Sequence, residues 1–251
     1  MFTAKRQVAT VVGNCVRLLP GSPVTGQRVL MYHAVGNRVD GDVNDIYTMS
    51  RTDFLRHVDT LQSVSSQYNM PFAPFGQPGN TEIAITFDDG YADALSTVGP
   101  ELGKRGIPFH VFVTPEKLTS GDPRYLTVAE LRELATIPGA TIGAHGATHR
   151  SLTSISVSDA QADLRASKQQ LEDILQSPIT SMSYPYGHVN EQVRNAAQHV
   201  GFSVAACSKW GVNSPDSDSL LLNRLDMWAG DSSRTITNKV LGYWNFLGSR
   251  T

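Results

Sequence analysis

Residues Glu82–Tyr91 read EIAITFDDGY, an apolar run of strand length that stops on two adjacent carboxylates and a glycine. Asp88 beside Asp89 is unfavourable unless a cation or a proton relieves the repulsion, and Gly90 supplies the tight turn that presents both acids to one cavity. The same residues also suit a turn capping the helix that follows, so the motif alone leaves both readings open. Working outward, similar short apolar runs fall at Val29–His33, Phe109–Thr114, Thr141–His145, Thr180–Tyr184, Phe202–Cys207 and Leu220–Leu225. Segments of helical period lie between them. Ser50 precedes the stripe Phe54, Val58 and Leu61, Thr127–Glu130 forms a capping box before Leu131 and Leu134, and Ser158 opens Ala160–Leu175. Pro178 then bars that last helix from continuing. Seven strands alternating with helices predict an α/β fold with a barrel-like parallel sheet, in which chemistry gathers where strands end. His33, Asp88, Asp89, His145 and Tyr186 all stand at such ends.

Two further stretches bear on chemistry. TIGAHGATHRSL (Thr141–Leu152) places His145 and His149 four residues apart, which in one helical turn directs both imidazoles to one side. Two histidines and a carboxylate make an open divalent-metal site with room for water and substrate. The glutamate that follows the first histidine of zinc peptidases is replaced here by Gly146. SMSYPYGHVN (Ser181–Asn190) puts a stiff proline turn, an aromatic wall and an exposed backbone N–H at Pro185 and Tyr186, a pattern a bland turn shares.

Bulk properties set the limits. A chain of 251 residues with 40% apolar and 18% charged residues is ordinary globular material. A formal charge of -2 gives no reason to expect nucleic acid as a partner. Cys15 and Cys207 are the only cysteines, which rules out a disulfide framework or a Cys-rich zinc site and favours two free thiols. Residues 1–27 form a separate N-terminal segment, and 28–251 the main domain. Asn14 and Arg17 interrupt the apolar run of that segment, so no signal peptide is expected. It suits a short helix packed on its own domain or resting on a membrane surface. The expected location is cytoplasmic or membrane-associated, with export and oligomeric state left open.

TFDDG, then HxxxH, then a YPYG turn, in this order and at these distances, resembles the polysaccharide deacetylase family, the NodB-like carbohydrate esterases of family 4. The likeness runs from about Arg28 to Trp228. It implies a distorted (β/α)7 barrel of the NodB type and hydrolysis of the acetamide of an N-acetylated carbohydrate. It also implies Asp88 as general base, and Asp89, His145 and His149 as ligands of a divalent ion, Zn2+ above others. Two features depart from the common pattern. Ser183 stands where the family carries an arginine that orients the catalytic aspartate, and no histidine follows His199 to serve as late general acid. VLMYHAV (Val29–Val35) is similar to the early Tyr-His motif of the subset acting on poly-N-acetylglucosamine, which makes His33 the candidate acid and His188 its rival. Arg224 is the candidate replacement for the missing arginine, and Pro185 with the N–H of Tyr186 the candidate oxyanion and substrate contact.

The other histidines and the tryptophans receive plainer readings. His57 is expected on a solvated helix face, His110 in the packing of its strand, and His199 at a helix end where a cation suits the dipole. Trp210 and Trp228 follow strand ends and are the candidates for stacking on sugar. The alternatives to a polysaccharide substrate are a lipid-linked or nucleotide-linked amino sugar, or a non-catalytic carbohydrate-binding relative.

Overall fold

The computed structural model describes residues 25–76, 79 and 81–245. Seven parallel strands, β1 (Gln27–Tyr32), β2 (Glu82–Phe87), β3 (Phe109–Val113), β4 (Ala140–Ala144), β5 (Ser181–Ser183), β6 (Val204–Ala206) and β7 (Leu225–Asp226), pair in the order β6-β5-β4-β3-β2-β1-β7. Consecutive strands are therefore neighbours, and the last returns to the first. The expected distorted barrel is what forms. The predicted N-terminal segment 1–27 lies outside the described residues up to Val24, and Gln27 already begins β1.

The seventh strand is shorter than the predicted Leu220–Leu225, because that segment changes partner as it crosses the barrel seam. Leu222 makes an isolated parallel bridge to Ala206 of β6, after which Leu225 and Asp226 pair with Leu30 and Met31 of β1. The segment thus holds the two sheet edges together without running along either one.

Alternation along the strands divides the core into two layers. Leu30, Tyr32, Ile83, Ile85, Phe87, Phe109, Val111 and Val113 point outward and pack under the helices. Val29, Ala84, Phe112, Ala206 and Leu222 point inward, with Phe75 packed among them. Both faces are buried, which is why the strands read as unbroken apolar runs.

The helix caps follow the sequence closely. Ser50 caps Arg51–Tyr68 and accepts from Asp53 N, and Thr127 with Glu130 makes the reciprocal capping box of Val128–Leu134. The long helix starts earlier than predicted, at Val157, because the hydroxyl that accepts from Asp159 N belongs to Ser156 rather than Ser158. His57 is buried, not solvated: its ring nitrogen meets the Tyr32 hydroxyl at 3.3 Å, and burial pushes its pKa down to about 4. Its helix packs against Ser233–Val240, so the face carrying His57 is covered. No helix among the described residues is long and apolar enough to cross a membrane.

Candidate metal centre

The polar centre is the continuation of the barrel's inward-facing rows. Stepping two residues past Met31, Thr86, Gly143, Ser181 and Leu222 arrives at His33, Asp88, His145, Ser183 and Arg224. One further step along the last segment reaches Asp226. Chemistry and core are thus the same rows read at different heights, as expected at the C-terminal mouth of a parallel barrel.

Asp88 follows β2, with its N–H donating to Tyr32 O. Arg224, fully buried, donates Nη1 to Asp88 Oδ1 at 2.7 Å and Nη2 to Oδ2 at 2.8 Å. Its Nε donates to Cys207 O at 2.9 Å, which fixes the fork. Burial alone would raise the Asp88 pKa, but the Arg224 guanidinium and the nearby His145 and His33 hold it below the ordinary carboxylate value. Arg224, offered by the sequence for the arginine absent from the proline turn, thus reaches Asp88 from the last strand segment.

Ser183 is not idle in the vacated place. Its hydroxyl lies 2.6 Å from His145 Nδ1 and 3.2 Å from Asp88 Oδ1, bridging the two. His145 Nδ1 also lies 2.9 Å from Ser183 O, so its Nε2 is left to face the cavity.

Asp89 turns toward the histidines through two left-handed residues, itself at φ 73° and Gly90 at φ 77°. A Cβ on Gly90 would stand 3.2 Å from Val113, so glycine answers both backbone and space there. Asp89 Oδ1 lies 3.3 Å from His145 Nε2 and 2.9 Å from His149 Nε2. The three ligand atoms lie within 4.8 Å of one another.

The HGATH stretch is a loop after β4 and not the helical turn that its spacing suggested. Gly146 at φ 68° and His149 at φ 55° reverse the chain, and Asp163 pins it by accepting from Ala147 N at 2.7 Å and Thr148 Oγ1 at 2.8 Å. A Cβ on Gly146 would press at 3.1 Å on both Asp163 Oδ1 and Pro185 Cγ, so Pro185 is the wedge against which the loop packs. The two imidazoles still converge, with ring centroids 5.0 Å apart.

A divalent ion fits these residues. Asp89 Oδ1 is buried and, despite its two close nitrogens, has no neighbour in hydrogen-bond geometry. Such an atom would be costly if left so, and it points its lone pairs where a cation would sit. Two neutral imidazole nitrogens and one carboxylate oxygen are the donor set of an open zinc-type site, with the Nδ1 of His145 already fixed from behind.

His33 enters the same cleft, of about 480 Å³, with its ring 4.7 Å from that of Tyr47 and tilted by 49° to it. His33 Nδ1 is buried without a partner. Asp226 stands beside it on the neighbouring strand, with Oδ2 accepting from Trp210 Nε1 at 3.3 Å and Oδ1 buried without a partner. Burial raises the Asp226 pKa against the opposing influence of Lys239 and His33. Asp226 escaped the sequence reading, although its spacing of two from Arg224 is the signal that marks it. The loop Val39–Tyr47 forms one wall of the cleft and is knotted by Asp42, which accepts from the N–H groups of Ile46, Tyr47 and Thr48 at 2.7–2.9 Å.

Tyr186, at φ 60°, sets its exposed ring 4.8 Å from His149 at the rim. His188 is exposed, bonded to Ser151 at 2.9 Å, and does not line the cleft that holds the acids. The tryptophans are packing groups: Trp210, Trp228 and Trp244 stand 5.6–5.9 Å apart around the Lys239 ammonium. Trp228 and Trp244 are buried and Trp210 partly so, and Trp210 Nε1 donates to Asp226 at the base of the cleft. His110 is buried between Phe75 and Phe112 with Nε2 2.7 Å from Ser181 Oγ, the packing role its sequence suggested.

Comparison with known proteins agrees with this fold. Residues 76–205 match the sequence profile described as polysaccharide deacetylase. The chain is 25% identical over 210 residues to YxkH of Bacillus subtilis (strain 168), covering 81% of this chain and 72% of that protein. Its fold is similar to that of the Streptococcus pyogenes deacetylase PplD in complex with acetate (TM-score 0.74, 19% identity, 87% of this chain and 99% of that one). It is equally close to IcaB from Ammonifex degensii (TM-score 0.73, 21% identity, 87% and 98%).

Proposed function

This chain belongs to the polysaccharide deacetylase family, and from that premise we propose that it removes N-acetyl groups from an amino sugar within a poly- or oligosaccharide, with Asp89, His145 and His149 holding a divalent ion. The observation that carries this reading is the convergence of three ligand atoms within 4.8 Å beside an Asp88 kept ionised by a two-pronged arginine.

An acetamide resists hydrolysis because its carbonyl is resonance-stabilised and an amine leaves poorly. A bound ion, Zn2+ above others, would polarise the acetyl carbonyl and make water more acidic. Asp88 accepts the proton of the attacking water at the carboxylate that Arg224 holds in place, a contribution of roughly 10²–10⁴ in rate for a positioned base. The N–H of Tyr186 donates to the developing oxyanion, and Pro185 fixes that turn. His33 in its imidazolium form gives a proton to the departing nitrogen, with Asp226 as the adjacent carboxylate that positions it. Acetate and a free amino sugar result, and the charges on Asp88 and His33 are restored by exchange of protons with water.

The test is acetate release from N-acetylglucosamine oligomers and from nucleotide-linked and lipid-linked N-acetyl sugars. Release that stops with chelator and returns with added Zn2+ is expected for the oligomers. A metal-replete protein that frees no acetate from any of them overturns the reading, and release confined to the activated sugars moves the substrate to that class.

A further inference from the structure

The seam of the barrel is held from behind by a buried ammonium. Lys239, on the helix Ser233–Val240, is fully buried, and its Nζ donates to Asp226 O at 2.6 Å and to Asp231 Oδ2 at 2.5 Å. The rings of Trp228, Trp244 and Trp210 enclose it, with centroids 3.9, 5.2 and 5.3 Å from Nζ. Contacts with three ring faces and one carboxylate compensate the charge. Asp231 is itself tied down, since the same Oδ2 accepts from Trp228 N at 2.9 Å.

Stability alone is a poor reason for such a group. Taking an ion pair out of water costs about as much as its attraction returns, and well-packed apolar residues often serve equally well. What the ammonium touches is more telling. β7 is two residues long and pairs with β1 through Leu225 and Asp226. So short a strand leaves the side chain at its end weakly fixed by the ladder. Asp226 is that end, and Lys239 supplies the hold twice. Nζ bonds the Asp226 carbonyl directly, and it lies beside the indole of Trp210, whose Nε1 donates to Asp226 Oδ2 at 3.3 Å.

The held carboxylate has one oxygen to spare. Asp226 Oδ1 is buried without a partner, and so is Nδ1 of His33, just past the end of the paired strand. An acceptor and a potential donor left so are costly apart and satisfied together. Lys239 is also the foremost group opposing burial at Asp226, so it favours the carboxylate over the neutral acid.

We infer that Lys239 is a positioning residue for the acid step: its boxed ammonium holds Asp226 by the backbone and, through Trp210, by the side chain, so that Asp226 Oδ1 meets His33 Nδ1 and aims the imidazole at the departing nitrogen. Lys239 does not line the cleft and acts only through Asp226. This assignment rests on the deacetylase reading for the cleft.

Two measurements on the full chain test it. Zinc-loaded wild type, Lys239→Met and the double variant Lys239→Met/Asp231→Asn are first compared on two substrates. The single variant leaves Asp231 buried and uncompensated and is the one at risk of unfolding. The double variant removes both charges, keeps an acceptor for Trp228 N, and should melt near wild type. Acetate release from the N-acetylglucosamine trimer needs a proton on the departing nitrogen. Para-nitrophenyl acetate loses a stable phenolate instead, and needs only the ion and Asp88. The ratio of kcat on trimer to kcat on ester should fall by about tenfold or more in the double variant, a share of the roughly 10²–10⁴ that a positioned acid supplies. KM for the trimer and zinc content should not change. Trp210→Phe keeps the ring and every charge, removes only the N–H on Oδ2, and should lower the same ratio in part. A ratio equal to that of wild type in these variants, whether both rates hold or both collapse, overturns the assignment and leaves Lys239 a structural residue.

The second measurement needs no turnover. Bonded to a carboxylate, the His33 Nδ1 proton should resonate far downfield and resist exchange in wild type, and proton and nitrogen NMR should show both features lost in the double variant. A His33 signal identical in the two proteins overturns the assignment. If wild type frees no acetate from any N-acetyl sugar, and the signal is present there but lost in the double variant, the hold of Lys239 on Asp226 stands and the deacetylase reading alone falls.

Discussion

Replacing Arg224 with methionine isolates the electrostatic arrangement on which the base depends. Methionine fills much of the arginine stem but removes two charge-assisted bonds, of 2.7 and 2.8 Å, from a buried Asp88. Removing one partner of a buried ion pair costs about 3–5 kcal/mol, because the other charge is left uncompensated. At about 2–4 °C per kcal/mol for a chain of this size, melting should fall by on the order of 10 °C. The pH dependence should change sign as well. In wild type the folded Asp88 titrates below its ordinary value, so it stabilises the fold above that value and the stabilisation is lost as pH falls. In Arg224→Met burial, which raises the Asp88 pKa, is opposed only by His145 and His33, and burial is expected to win and lift the pKa above the ordinary value. The ionised form then destabilises the fold at neutral pH, and the variant recovers part of its deficit in acid. Acetate release should drop by about 100-fold at pH 7, within the range for loss of a positioned base, and its acid limb should move to higher pH. The assays are thermal melts from pH 4 to 8 and a kcat/KM profile over the same range with zinc content monitored. A variant with the wild-type acid limb and a near-wild-type rate would refute the pairing as the device that keeps Asp88 ionised.

Three other outcomes follow from the same geometry. Asp88→Asn should retain one equivalent of zinc and lose about 10²–10⁴ of turnover; zinc content that collapses would mean that Asp88 and Asp89 exchange roles. His33→Ala should reduce kcat by about 10²-fold or more at unchanged zinc content, measured by acetate release alongside metal analysis; full activity in that variant would remove the acid role from His33. Ser183→Ala removes the hydroxyl 2.6 Å from His145 Nδ1, and zinc affinity in competition with a chelator should weaken by about 10–100-fold; unchanged affinity would leave the hydroxyl as packing only.

The parts of the fold that the sequence makes legible are those governed by neighbours along the chain. The caps at Ser50 and Thr127, the strands that end in His33 and Asp88, and the ligand types in DDG and HGATH depend on local hydrogen bonding and a period of two. Where the local rule admits two outcomes, reading fails. The four-residue spacing of His145 and His149 suits a helical turn, but the wedge of Pro185 and the carboxylate of Asp163, distant in sequence, hold it as a loop. His57 lies on a helix whose polarity suggests solvent, but Tyr32 of β1 meets its ring and the helix packs against Ser233–Val240.

Sequence alone therefore determined that this chain is an α/β barrel with acids and histidines at its strand ends, because alternation and strand length are written residue by residue. Tertiary structure alone decided which side chains serve one another. Arg224 reaches Asp88 across 136 positions, Ser183 joins Asp88 to His145, and Asp226 comes to stand beside His33. Those pairings exist because closing the barrel brings the last segment against the first strand, and a ring has no neighbours at its seam until it is shut.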